Sequence, residues 1–152
     1  MATIEDGILE DGTLIEWDEK YSVGIERIDT QHRKLVDLTN TLYRGCLTGE
    51  EAARQYFMKT IQGTVDYVKY HFADEEKLME YFKYPDISNH KSQHSGFVMK
   101  ILEDVRNFQS GKKFVPNTFV RYLKDWILSH IAFMDKQYAQ YILKSHPQKG
   151  KL

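Results

Sequence analysis

The run from Phe57 to Phe82 constrains the fold of this chain more than any other stretch. Phe57, Ile61, Thr64, Val68, His71, Glu75, Leu78 and Phe82 follow one another in steps of four and three, the spacing of a helical stripe that faces other helices. Two members of that stripe are a histidine and a glutamate. A carboxylate in an apolar interior costs several kcal/mol unless it is paired or bound to a cation. The rest of the chain must therefore bring partners to Glu75.

Three further stripes do so. The chain has 152 residues, the size of one ordinary domain, enough to bury a core without disulfide staples. Residues 1–28 read as an acidic, extended arm with no sustained helical period, on which Trp17 and Tyr21 are packing anchors. Asp29 or Thr30 is expected to cap a first helix whose inner face is Ile28, His32, Leu35, Thr39, Leu42 and Cys46. Thr48 and Glu51 read as a capping box opening the long second helix, which must stop before Pro85. Asp86 or Ser88 restarts the chain into a third helix with Ile87, His90, His94, Phe97, Ile101, Val105 and Phe108 on one face. Ser110-Gly111 ends it, and Pro116-Asn117 opens a fourth carrying Phe119, Leu123, Trp126, His130, Phe133 or Met134, and Tyr141. Residues 145–152 form a polar tail. Short connections favour antiparallel neighbours, so the expected fold is all-α: one domain with an up-down-up-down four-helix bundle over residues 29–144.

Composition removes several classes of function. With 21 basic and 22 acidic residues and a formal charge of -1, no field exists for nucleic acid or an anionic membrane. No apolar run approaches the roughly 20 residues that cross a bilayer. The single cysteine, Cys46, and a start lacking the basic and apolar regions of a secretory signal point to the cytoplasm.

The inward polar residues carry the chemistry. His32, then His71 with Glu75, then His90 with His94, then His130 come from four different helices, with Asp135 beyond the last. Residues four apart share a helical face, so His71 with Glu75 and His90 with His94 can each converge on a point between helices. No lysine or arginine lies on these stripes to neutralise the acids, which leaves a cation as the explanation. Four donors saturate a tetrahedral zinc; five imidazoles and two carboxylates suit two metals of higher coordination bridged by the carboxylates. Asp135 is the awkward member, because five residues of α-helix carry it about 140° away from His130. His146 lies off the pattern and reads as solvated, Tyr70, Tyr81 and Tyr84 as packing or surface residues, and Cys46 as a small filler rather than a nucleophile.

The seven residues in this order resemble the hemerythrin family in its bacterial branch. Trp17, Tyr21, Gly24, Asp29 and Gln31 before His32, and Trp126 before His130, resemble the same family, and the likeness runs from about Leu14 to Tyr141. The resemblance implies a non-haem di-iron centre, cycling between Fe2+ and Fe3+, that binds dioxygen reversibly. His90, His94 and His130 would hold one iron and His32 and His71 the other, with Glu75, Asp135 and an oxo or hydroxo group bridging. The two-histidine iron would keep an open position, walled by Leu35, Phe72, Trp126, Ile127 and Ile131; Met79 would belong to the same wall or merely fill space. Oxygen carriage, storage or delivery, without enzymatic turnover, is the expected function. The alternatives are sensing of oxygen, redox state or nitric oxide through the same site, and a di-iron oxidase or peroxidase. Oxidases of the carboxylate-rich bundles use two Glu-x-x-His pairs, absent among these ligands. The expected partners are dioxygen and a separate reductase or oxygen-consuming protein.

Overall fold

The computed structural model describes residues 4–5, 8–9, 12–112 and 114–151. Much of the acidic start, and the side chains of the basic tail at Lys149 and Lys151, lie outside the described residues. Among the described residues the fold is all-helical apart from a two-residue antiparallel pairing of Ile4–Glu5 with Ile8–Leu9. Four rods make an antiparallel bundle. Helix α1 spans Glu26–Cys46, α2 Glu50–Tyr81, α3 Ile87–Gln109 and α4 Pro116–His130; a five-residue π turn, Ile131–Asp135, continues α4 into α5, Lys136–Ser145. Helix α1 packs along α2 and α4, and α2 along α3. Among the described residues no helix is long and apolar enough to cross a membrane.

The helix ends differ from the sequence-based expectation in two places. Helix α1 starts three residues before Asp29, with Ile25 extended at its N-cap. The Asp29 carboxylate instead accepts hydrogen bonds from the Val23 amide (2.8 Å) and the Ser22 hydroxyl (2.5 Å), tying the arm down against the first turn. At α2 the N-cap is Gly49, whose φ of 104° suits a residue without a side chain. Thr48 donates back to the Gly45 carbonyl (2.7 Å), so the expected capping box with Glu51 does not form. The other end of α2 closes as expected before Pro85. Lys83 adopts φ 56° and the Tyr84 amide reaches the Met79 carbonyl (2.9 Å), a Schellman-type closure made here without glycine.

The extended arm completes the core. Leu14, Ile15, Val23 and Ile25 are buried against the bundle. A segment laid over a helix has no ladder partner for its backbone, and Asn40 of α1 supplies one: its side chain accepts from the amides of Leu14 and Ile15 and donates to the Ile15 carbonyl. Trp17 packs below the Arg33 guanidinium and beside Tyr21. One end of the bundle interior is packed with aromatic rings, Phe108, Phe114 and Phe119 set edge-on around Phe57. The other end holds the polar residues.

The fourth rod departs from its expected stripe beyond His130. Phe133 points outward and is 69% exposed, and Tyr141 lies at the surface, whereas Ile131, Asp135, Tyr138, Ala139 and Ile142 are buried. The π turn is the cause. Its Lys136 amide bonds to the Ile131 carbonyl five residues back, so this turn holds more residues than an α turn and resets the phase of all that follows.

Candidate metal centre

Every rod contributes to one buried cluster. Helix α1 supplies His32, α2 His71 and Glu75, α3 His90 and His94, α4 His130, and the π turn Asp135; none is more than 5% exposed. The wide turn also resolves the position of Asp135. Five residues now span little more than one revolution, and Asp135 faces the same interior as His130 rather than the flank.

The donor atoms sort into two groups. Glu75, His90, His94, His130 and Asp135 form one, and His32, His71, Glu75 and Asp135 the other; within each, one ligand atom per residue lies within 4.8 Å of all the rest. The two carboxylates belong to both. Asp135 places Oδ2 3.0 Å from His32 Nε2 and Oδ1 3.0 Å from His90 Nε2 and 3.1 Å from His130 Nε2. Glu75 places Oε1 3.0 Å from His71 Nε2 and 3.5 Å from His94 Nε2. His130 Nε2 also stands 3.1 Å from the Nε2 atoms of both His90 and His94. Three imidazole nitrogens turned toward one another suit lone pairs converging on a cation better than they suit a network of protons.

The unsatisfied atoms agree. His32 Nε2, Glu75 Oε1 and both Asp135 oxygens are buried without a well-oriented hydrogen bond, although they approach other cluster atoms closely. Buried polar atoms left unpaired are destabilising by about 1–3 kcal/mol each, more when charged. Such a concentration fits a set of donors shaped for metal ions. Electrostatics point the same way: burial works against charge at Glu75, but His71, His32 and His94 outweigh it and hold the carboxyl well below the usual range. Asp135 is also lowered, with His130 and His32 overcoming both burial and the Glu75 charge. Burial alone would keep His32 neutral, yet the two acids push its pKa up to about 9. Both acids are thus available as anions across the neutral range.

Groups outside the donor set fix its orientation, and sequence reasoning did not assign these roles. The Gln31 amide nitrogen donates to Asp74 (2.7 Å), which leaves its oxygen to accept from His71 Nδ1 (2.6 Å). Asp74 is in turn held by both ends of the Arg27 guanidinium. Glu76 accepts directly from His94 Nδ1 (2.9 Å). Each bond places the proton on Nδ1 and frees Nε2 to point inward. Tyr138, fully buried, donates its hydroxyl to Glu75 Oε2 at 2.5 Å. Burial and the two nearby carboxylates keep that phenol protonated, its pKa well above the ordinary value.

Beside the second group lies a cavity of about 10 Å³. Leu35, Phe72, Trp126, Ile127 and Ile131 all line it, together with Val68, Phe97, His32, His71, His130 and Asp135. That volume is close to the least that holds one water-sized molecule. Met79 is fully buried but is not part of this wall. His146 is exposed and packs on Phe82, and Cys46 is half-buried with its thiol pushed up to about 11 by desolvation.

The family description that matches this chain is the Hemerythrin HHE cation binding domain, over residues 23–142. Among curated proteins, the bacteriohemerythrin of Stenotrophomonas maltophilia is 33% identical over 133 residues, covering 88% of this chain and 84% of that one. A hemerythrin-like protein of Naegleria gruberi is 29% identical over 122 residues, covering 80% and 88%. Among solved structures, a crystal structure of wild-type hemerythrin superposes with a TM-score of 0.77 at 29% identity, covering 83% of this chain and 95% of that one.

Proposed function

The chain belongs to the hemerythrin family, and from that premise we propose that its buried cluster holds two iron ions and binds dioxygen reversibly. One observation carries the reading: two groups of donors share Glu75 and Asp135, and the group with fewer imidazoles adjoins a small apolar cavity. Two ferrous ions, when bound, supply the electrons that dioxygen draws on as it binds and returns as it leaves. The protein does the rest. His90, His94 and His130 would serve one iron and His32 and His71 the other, with Glu75 and Asp135, which belong to both donor groups, serving both. The lower imidazole count leaves room on the His32 and His71 side, where Leu35, Phe72, Trp126, Ile127 and Ile131 exclude the water and protons that turn reversible binding into irreversible oxidation. Gln31 and Glu76 hold His71 and His94 in the tautomer that ligation requires.

Imidazole with carboxylate suits iron, and a binding protein needs no turnover machinery. Residues 1–152 act as one such domain in the cytoplasm, with a separate reductant returning oxidised irons to the ferrous state. The test is a cycle: load the protein anaerobically with ferrous iron, admit oxygen, withdraw it, and follow the visible spectrum. Full return to the starting spectrum is expected at two irons per chain. A one-way change with accumulation of a product would assign the site to an oxidase instead.

A further inference from the structure

We propose that Tyr138, Tyr84 and Tyr141 form a relay that carries oxidising equivalents from the metal centre to the surface, giving the protein a second activity toward peroxide and small one-electron reductants. The inference rests on the dinuclear reading above. Its starting point is Tyr138, which is fully buried, donates to Glu75 Oε2 at 2.5 Å and sets its ring edge-on to His90 with centroids 5.4 Å apart. Packing alone would be served by phenylalanine. The next ring outward is Tyr84, half-buried, 6.4 Å from Tyr138. Tyr141 follows at 5.5 Å from Tyr84 and is 36% exposed. Phenols and indoles are the side chains most readily oxidised by one electron. Here three phenols stand ring beside ring along a gradient from complete burial to solvent.

The hydrogen bond to Glu75 makes the first step chemically complete. When Tyr138 gives up an electron its acidity rises steeply, and the proton passes along the short bond to Oε2. It returns when Tyr138 regains an electron from Tyr84. Tyr84 is refilled by Tyr141, each releasing a proton and recovering one, and Tyr141 by a reductant in solution such as ascorbate. Hydrogen peroxide is the oxidant: each molecule takes two electrons through the relay and two protons from solvent and leaves as two waters. Two ascorbate monoanions each give one electron and one proton at the surface and leave as ascorbyl radicals, so atoms and charge balance. Trp126 is the rival acceptor, since it stacks on His130 at 4.4 Å, but the rings next to it are Phe72 and Phe97, which do not hold an electron hole, and Phe97 stands between it and Tyr122.

The experiment mixes the two-iron protein with hydrogen peroxide and freezes it at intervals for electron paramagnetic resonance. A tyrosyl signal that changes on ring-deuteration of tyrosine, and decays on addition of ascorbate, is the expected result. Tyr84→Phe and Tyr141→Phe should keep iron content and the reversible oxygen spectrum, yet slow the ascorbate-dependent decay of the radical by an order of magnitude, holding it on Tyr138 in the first variant and on Tyr138 and Tyr84 in the second. Mass spectrometry with a radical trap should find the adduct on Tyr141 in the wild type and lose it in Tyr84→Phe. Decay unchanged in both variants would overturn the relay, as would a signal responding to deuterated tryptophan alone. The absence of any radical in protein that still cycles oxygen would overturn it too, while protein that takes up two irons but fails to cycle oxygen speaks against the binding function and leaves the radical measurement standing on its own.

Discussion

The two sides of the cluster use the same carboxylates and the same bundle, yet they are built differently. On the side of His90, His94 and His130 three imidazole nitrogens crowd together, two of them supplied by one turn of α3, and His94 is backed by the Glu76 carboxylate. On the side of His32 and His71 only two imidazoles face the shared acids, His71 is backed by a neutral amide, and the cavity opens beside them. The first side has more donors and is anchored by charge. The second is spare and dry. On the proposed reading the asymmetry assigns the roles: a metal with its donors complete has no reason to admit a ligand, and one with fewer donors against an apolar wall has both the vacancy and the protection.

The comparison can be broken most severely at the residues both sides share. Glu75→Ala should lower metal content from two ions per chain toward one, measured by elemental analysis, and should leave the Tyr138 hydroxyl buried without its acceptor, costing about 1–3 kcal/mol of stability. Two ions retained would refute the bridging role. Removing support from one side alone is the next largest effect. Gln31→Leu should weaken the His71 side by about 10–100-fold in metal affinity while the three-histidine side is unchanged, read from a biphasic metal titration. Ile131→Ser should leave the metal count intact but shorten the life of the oxygenated form several-fold in stopped-flow spectra, because a hydroxyl in the cavity wall brings water with it.

Acidity tests the shared charges more gently. His32 has its pKa raised to about 9, so its stabilising contribution to the metal-free protein is complete below about 6.5 and is lost as pH rises through 9. Glu75 and Asp135 are lowered and contribute in the opposite sense, above their ordinary range and failing in acid. Metal-free protein should therefore be most stable in mildly acidic to neutral solution, by thermal melts across pH, whereas iron uptake should strengthen with pH because His32 must shed its proton to ligate. The smallest expected effect is none: His146→Ala, exposed and remote from the cluster, should change neither metal count nor oxygen cycle.

Periodicity made most of this legible. His32, His71, Glu75, His90, His94 and His130 stand on stripes that step in threes and fours, and a polar residue on such a stripe declares itself. What stayed hidden had other physical origins. Asp135 and the outward turn of Phe133 depend on a π turn, which leaves the α-helical period only where it occurs and has no distinct residue signature. Asp29 has the chemistry of a cap but serves as a clasp for the arm, a choice made by Ser22 and the Val23 amide arriving from outside the helix. Gln31 and Glu76 sit beside ligand-bearing positions but off the inner stripes, and their roles emerge only when a neighbouring rod brings an imidazole nitrogen to each. Tyr138 meets Glu75 across 63 residues of sequence, a pairing no local pattern encodes.

The widened turn at Ile131–Asp135 ties occupancy to the pitch of the final rod. Tyr138, Ala139 and Ile142 reach the interior only because an additional residue is accommodated just before them. On the proposed reading, ions would grip the carboxylate of Asp135 from the far side and make it a latch on that loosened coil. Emptying the centre is then expected to let the coil slip toward ordinary winding, turning the last helical segment about its own axis. Amide exchange along 131–145 would then serve as a gauge of how full the centre is.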